Sequence, residues 1–242
     1  MLLTANEVAK MIDLSCVRTT SSQMDIEEMV DTAQKYQFGQ VSVNQCFIPY
    51  TKQLLKGAPH IHVIGNVSFP SGSDSTSVKV FQAQEMVMAG CDEIDMVMNV
   101  GKLRSGALAE VEADVRAVID AVHPVPVKVI IEIMCLNAEE AGQACGICVR
   151  SGASFVKTGT GWADRGTTLE DVRLVKSLVG DQVRIKASGG IRNLDTLLRM
   201  YHAGATRFGV NLKSGMKIVE ECLQIESAAD GKHSKGQLEC ES

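Results

Sequence analysis

Short β-rich runs recur every few tens of residues along this chain, at 12–14, 40–44, 61–67, 93–97, 127–132, 155–158, 183–187 and 207–210. Between them, apolar residues return every three or four positions, as at 25–36, 75–89, 109–122, 137–150, 168–178 and 194–203, the period of a helix with one buried face. Strand alternating with helix predicts parallel pairing through right-handed crossovers. Eight such units fit an α/β fold in the form of a single closed (β/α)8 TIM barrel, which needs roughly 200 to 250 residues. The competing open, doubly wound sheet would carry a glycine-rich nucleotide fingerprint after its first strand. Asp13-Leu14-Ser15-Cys16 is nothing like one. Asp25 and Asn193 sit where helix N-caps are wanted, and Gly39, Gly90, Gly152, Gly180 and Gly204 sit where helices should stop.

Composition narrows the picture. The 242 residues are 45% hydrophobic, and the apolar positions are spread evenly with no linker-like stretch, so one domain is expected over 1–226. The tail 227–242 is polar and without period, and disorder is expected there. Twenty-four basic and 29 acidic side chains interleave to a net charge of −5, with no basic stripe to follow a nucleic-acid backbone. The N-terminal residues lack a basic region followed by an apolar stretch, and no apolar run reaches bilayer length, so a soluble, unexported, cytoplasmic protein without a membrane partner is expected. The eight cysteines then read as reduced thiols. Cys145 and Cys148 form a C-x-x-C late in a helical pattern without a second pair, and packing is the expected role; the five scattered histidines lack zinc-site spacing.

Candidate chemistry comes from the strands. Side chains alternate across a strand, so if the apolar members face the helices, the barrel interior gathers Asp13, Ser15, Ser42, Asn44, Glu93, Asp95, Lys128, Glu132, Lys157, Arg184 and Lys186. A barrel interior filled for stability alone uses Val, Ile and Leu, whereas buried charges are expensive unless paired. Lys128, Glu132 and Arg184 are expected to form a structural network locking the bottom of the barrel. Lys157, Lys186 and Asp95, at strand ends, are the catalytic candidates. Burial lowers the pKa of an ammonium, a second ammonium nearby lowers it further, and a lysine pushed toward neutrality is a nucleophile.

Each lysine leads into a glycine-rich turn. Thr158-Gly159-Thr160-Gly161 follows the first, and Ala187-Ser188-Gly189-Gly190-Ile191-Arg192 follows the second. The latter turn precedes a helix and exposes backbone N–H groups suited to an anion. The loop Gly209-Val210-Asn211-Leu212-Lys213-Ser214-Gly215 completes the place where such barrels hold phosphate.

Four ordered motifs then carry a resemblance: Glu93-Ile94-Asp95-Met96-Val97-Met98-Asn99-Val100-Gly101, Lys128-Val129-Ile130-Ile131-Glu132, Phe155-Val156-Lys157-Thr158-Gly159-Thr160-Gly161 and Lys186-Ala187-Ser188-Gly189-Gly190-Ile191-Arg192. From Asp13 to Gly215 the chain resembles the class I deoxyribose-phosphate aldolase family. The resemblance implies a lyase with no metal or other cofactor, joining acetaldehyde reversibly to glyceraldehyde 3-phosphate to give 2-deoxyribose 5-phosphate. Its partners would be a small phosphosugar and an aldehyde, and a homodimer is left open. Lys157 would form the Schiff base, Lys186 would keep it partly unprotonated, and Asp95 would serve as the acid of a proton relay. Asp13 and Ser15 would position a substrate hydroxyl, and Thr158, Gly161, Gly189, Gly190, Gly209, Asn211 and Lys213 complete the expected substrate-binding set.

The chain departs from the family pattern in three places. Gly159 replaces a usual serine and Trp162 follows the motif; Val210-Asn211-Leu212-Lys213 replaces small hydroxyl residues; and the tail ends Glu239-Cys240-Glu241-Ser242, without the tyrosine found in some members. Lys213 is the expected phosphate ligand in place of the lost hydroxyls. Cys16 and Cys46, near the expected top face, could react with aldehydes, but packing is the expected role of both. The alternatives are a related aldolase with another acceptor, a non-covalent phosphosugar isomerase using the lysines as electrostatic clamps, and a sugar-phosphate binding protein on the same barrel. The last would be expected to have lost Lys157, Lys186 or Asp95, and all three are present.

Overall fold

A computed structural model describes residues 3–238, with side-chain surroundings from 3 to 228. Eight parallel strands close in sequence order into a barrel: β1 (Ile12–Cys16), β2 (Gln40–Val43), β3 (His62–Val67), β4 (Glu93–Val97), β5 (Val127–Ile130), β6 (Phe155–Lys157), β7 (Arg184–Ser188) and β8 (Arg207–Asn211). The helices are α1 (Ala5–Lys10), before the first strand, then α2 (Gln23–Tyr36), α3 (Ile48–Leu54), α4 (Thr76–Met88), α5 (Val100–Arg104), α6 (Leu108–Val122), α7 (Ala138–Arg150), α8 (Leu169–Val179), α9 (Leu194–His202) and α10 (Leu212–Leu238). The (β/α)8 barrel expected from the alternating pattern is the observed fold. Helix α10 continues past Glu226, where the pattern of apolar positions fades, and residues 239–242 of the expected tail lie outside the described residues.

The core is a ring between strands and helices rather than a plug inside the barrel. Val41, Val63, Ile94, Met96, Val129, Val156, Ile185 and Phe208 point outward into it, against side chains such as Met29, Met86, Val115, Ile147, Val175 and Leu197 from the surrounding helices. Burying an aliphatic side chain contributes about 1.5–3 kcal/mol, so this ring supplies most of the hydrophobic stabilisation and leaves the inward positions free for polar groups.

Helix punctuation differs from expectation in two places. Asp25 is not the N-cap of α2: Ser22 takes that position and Asp25 answers it from the third helical residue, each bonding the other's backbone N–H in a capping box. Such a box satisfies two orphan donors at once, which a lone Asp cap would not. Gly39 does not turn the chain after α2, because Gln37 takes the left-handed conformation there (φ 58°). Gly39 eases a close approach instead, since a Cβ would lie 3.1 Å from the carbonyl oxygen of Lys10. Asn193 caps α9 as expected, and Gly90, Gly152, Gly180 and Gly204 all adopt positive φ at helix ends.

Candidate active site

The register of the barrel stacks the inward residues into layers. Lys157 on β6 lies beside Lys186 on β7, and Asp95 on β4 lies beside Lys128 on β5. Across the barrel the two upper ammonium groups converge on one oxygen: Lys157 Nζ and Lys186 Nζ are each 2.7 Å from Asp95 Oδ2. Lys128 Nζ approaches the other oxygen, Asp95 Oδ1, at 3.1 Å and pairs with Glu93, whose Oε1 accepts from Gln40 Nε2 at 2.9 Å. Lys186 reaches Asp13 Oδ2 at 2.5 Å, and Arg207 Nη1 holds Asp13 Oδ1 at 3.2 Å.

The cluster therefore holds four cations, Lys128, Lys157, Lys186 and Arg207, against three carboxylates, Asp13, Glu93 and Asp95. One proton too many is bound if every group is ionised. Burial acts most strongly on Lys157, and with the nearby charges of Lys186 and Lys128 it outweighs the attraction of Asp95, bringing the pKa from 10.5 to about 8. Burial also opposes the charge of Lys186, but Asp13 and Asp95 together more than offset it, and its pKa is raised. Asp95 is fully buried, which alone would favour its neutral form; the three ammonium groups reverse this and hold it well below the usual carboxylate range.

Asp13, Ser15, Ser42, Asn66, Lys157, Thr160, Lys186, Ser188 and Gly209 line the hollow above this cluster, whereas Asp95 lies outside the lining, covered by the lysines. That hollow shares Ser15, Val17, Thr160, Ser188 and Gly209 with a wider cleft at the C-terminal mouth, walled further by Arg18, Gly161, Trp162, Gly189, Gly190, Arg192 and Asn211. A side chain at 209 would crowd Ser188, its Cβ lying 2.6 Å from Ser188 Oγ and 3.1 Å from Ser188 Cβ. Gly189 and Gly190 carry φ of 99° and 82°, and their turn packs on Gly161 and Gly166 of the β6 loop closely enough that a Cβ at 166 would meet Gly190 Cα at 2.9 Å.

The structure thus gathers Lys157, Lys186, Asp95, Asp13, Ser15, Gly161, Gly189, Gly190, Gly209 and Asn211 around one connected site. Two of the substrate-binding candidates stand apart. Thr158 is fully buried, its hydroxyl bonded to Thr167 Oγ1 at 2.7 Å and accepting from the Ser188 N–H at 3.0 Å, so it ties two loops together. Lys213 is exposed and lines a neighbouring groove that also contains Asp25 and Glu28, carboxylates that disfavour an anion there.

The expected bottom trio is also redistributed. Lys128 is buried as expected, but Arg184 is exposed and lies over the Phe155 ring, 4.0 Å from its centroid. Glu132 belongs to the opposite end: β5 ends at Ile130, Glu132 turns left-handed (φ 48°), and its carboxylate accepts from the N–H of Thr160 at 3.0 Å and its hydroxyl at 2.6 Å. That fills the space of a side chain at 159, since a Cβ there would lie 2.9 Å from Glu132 Oε1. Residues missed in the sequence are Gln40 and Asn66, inward polar partners in the network, and Arg18 in the cleft. The alternation Gln40, Ser42, Asn44 carried the signal for the first of these.

Among the described residues no group of three His, Cys, Asp or Glu side chains gathers to hold a metal, and no helix is long and apolar enough to cross a membrane. Cys145 and Cys148 are buried on α7, and burial pushes both thiols up, Cys145 to about 12.

Comparison with known proteins places this geometry. The family model described as DeoC/LacD family aldolase matches residues 8–218. The chain is 41% identical to a deoxyribose-phosphate aldolase of Carboxydothermus hydrogenoformans over 93% of this chain and 99% of the relative. It is 40% identical to one of Sinorhizobium medicae, over 92% of this chain and 90% of that one. A solved structure described as QR15, an aldolase, superimposes with a TM-score of 0.86 at 38% identity, covering 91% of this chain and 98% of its own. With the match running through all eight strands, the chain belongs to the DeoC/LacD family of aldolases.

Proposed function

We propose that this barrel catalyses the reversible cleavage of 2-deoxyribose 5-phosphate to acetaldehyde and glyceraldehyde 3-phosphate through a Schiff base on Lys157. The observation that carries the reading is the pair of ammonium groups, Lys157 and Lys186, held 2.7 Å from one oxygen of Asp95, with the Lys157 pKa brought to about 8. At pH 7 such an amine is unprotonated about one time in ten, against a few times in ten thousand for an ordinary lysine.

The free amine adds to the aldehyde carbon of the open-chain sugar, and the carbinolamine loses water to give a protonated imine. As the C3 hydroxyl gives up its proton, the C2–C3 bond breaks and its electrons flow into the imine. Glyceraldehyde 3-phosphate leaves and an enamine of acetaldehyde remains on Lys157. Protonation of the enamine carbon and addition of water release acetaldehyde and restore the amine.

Lys186 is the proton carrier favoured by the electrostatics, because it lines the hollow and keeps its proton. Asp95 stays ionised, so its role is to hold the two amines together rather than to donate. Asp13 and Ser15 line the hollow with Lys186 and fit a substrate hydroxyl, and the phosphate end fits the cleft at Gly189, Gly190 and Arg192. An enediolate clamp without a covalent bond is the weaker reading, since it would gain from a fully charged Lys157.

Acetaldehyde followed by borohydride tests the proposal. One ethyl group should appear on the peptide carrying Lys157, ahead of surface lysines, and deoxyribose 5-phosphate with borohydride, in place of acetaldehyde, should modify the same lysine. Labelling spread evenly over the exposed lysines, with Lys157 unmodified, rejects the Schiff base.

A further inference from the structure

The cleft wall holds a cation that the reaction above leaves unused. Arg18 lies just past the end of β1, its backbone fixed on both sides: its N–H donates to Ser21 Oγ at 3.1 Å and its carbonyl accepts from Asn44 Nδ2 at 3.3 Å. The guanidinium reaches across the mouth to the β6 loop, where Nη2 donates to the Gly161 carbonyl at 3.3 Å and the group lies 4.9 Å from the centroid of the Trp162 ring. Trp162 is itself braced, its ring edge-on to Phe69 at 6.2 Å and its backbone N–H donating to Thr160 Oγ1 at 3.0 Å. Thr160 is in turn held by Glu132.

A guanidinium has five N–H donors, and stacking on an indole fixes its plane while leaving the in-plane donors free. Arg18 spends one donor on Gly161. Arg192 lines the same cleft, and among the described residues neither arginine is paired with a carboxylate. Both guanidinium groups are exposed at one cleft, and a dianion entering it gains charge-assisted hydrogen bonds there.

We propose that Arg18, set in place by Trp162, is a specificity-determining residue that selects substrates carrying a phosphate at the end remote from the aldehyde. This rests on reading the Lys157 hollow as the aldolase site. It assigns the anion contact to the loop after β1 rather than to Lys213, because Arg18 lines both the cleft and the neighbouring groove of Asp25 and Glu28, whereas Lys213 lines that groove and not the cleft. Because the cleft and the hollow share Ser15, Thr160, Ser188 and Gly209, one sugar can reach both.

Two measurements test it. The first compares kcat/KM for 2-deoxyribose 5-phosphate with that for 2-deoxyribose in the parent, Arg18→Met and Arg18→Lys. The ratio should fall about 10- to 100-fold in Arg18→Met, the loss of one charge-assisted anion contact, with Arg18→Lys in between. A ratio within about twofold of the parent, or an equal loss on both sugars, overturns the assignment. The second needs no turnover. Trp162 is the only tryptophan in the chain, so its emission reports on the Arg18 contact as inorganic phosphate is titrated in. A saturable change in the parent that is absent in Arg18→Met supports the proposal, and no response in the parent, or the same response in both, sinks it. If the parent cleaves neither sugar, the aldolase reading fails while the phosphate titration still decides Arg18.

Discussion

Lys128 and Lys157 are the same residue type, buried in the same barrel interior, on strands that pair with each other, yet they meet opposite electrostatics. Lys128 has Glu93 to itself and a share of Asp95. Lys186, by comparison, has Asp13 and a share of Asp95. Among the described residues Lys157 alone of the three reaches no carboxylate besides Asp95, whose Oδ2 it divides with Lys186, while Lys186 shares Asp13 with Arg207. Burial gives an ammonium its reactivity only where counter-charge is withheld, and here it is withheld at the end of the strand that opens onto the cleft.

The hardest way to break this comparison is to remove the uncompensated amine. Lys157→Met should lower aldol cleavage by about 10⁴-fold or more, since no other group in the hollow can form the imine at a comparable rate. The same substitution should leave three cations facing three carboxylates and raise stability at pH 7 on the order of 1–2 kcal/mol. The sign with pH follows from the lowered pKa. Between about pH 8 and 10.5 the unfolded chain holds a proton on this residue that the folded chain has released, so stability rises with pH across that window. Lys157→Met should flatten that rise in denaturant titrations, and an unaltered slope would remove the uncompensated charge from the account.

Removing the compensated amine should do the reverse. Lys128→Met leaves Glu93 with Gln40 alone and takes one of three cations from Asp95, a loss expected to cost about 3–5 kcal/mol in urea unfolding. Adding Glu93→Gln should recover much of it, because the stranded carboxylate is the source of the penalty. A Lys128→Met protein as stable as the parent would mean that the lower layer is not the locked network described.

Lys186→Met separates proton transfer from charge tuning. Its ammonium lowers the Lys157 pKa and holds Asp95, so its loss should reduce kcat about 10²-fold and shift the rising limb of the pH–rate profile above its position near pH 8. A limb that stays in place would show that the charge of Lys186 does not set the reactivity of Lys157.

Much of this comparison was legible before any coordinates. The two-residue alternation of Glu93 with Asp95 and of Arg184 with Lys186 assigns each to the inward face, and the β and helix periods, with the chain length and the missing fingerprint after the first strand, lead to a barrel of eight units. What alternation cannot give is height along the barrel axis, because the strands are staggered around it. Arg184 accordingly falls at an exposed mouth, over Phe155, and Glu132 passes beyond its strand into a left-handed turn at the other mouth. Loop direction was equally hidden. Arg18 and Trp162 lie far apart in sequence and meet only because the loops after β1 and β6 arch over the same opening.

Lys213 sharpens the comparison from its weakest end, as a lysine with neither burial nor a place in the cleft. The sequence pattern makes it the natural phosphate ligand, standing where small hydroxyl residues are lost after Gly209. In the structure it is exposed in a groove walled by Asp25, Glu28 and Arg18 and, unlike Arg18, does not line the cleft that holds the Gly189 turn, so its field is screened by water before it reaches that turn. Lys213→Ala should therefore change KM by less than about twofold for the phosphorylated and the unphosphorylated sugar alike, the range ordinary for an exposed charge. A selective rise for the phosphorylated sugar, comparable to that expected of Arg18→Met, would return the anion contact to the loop after β8 and leave Arg18 as a brace for Trp162.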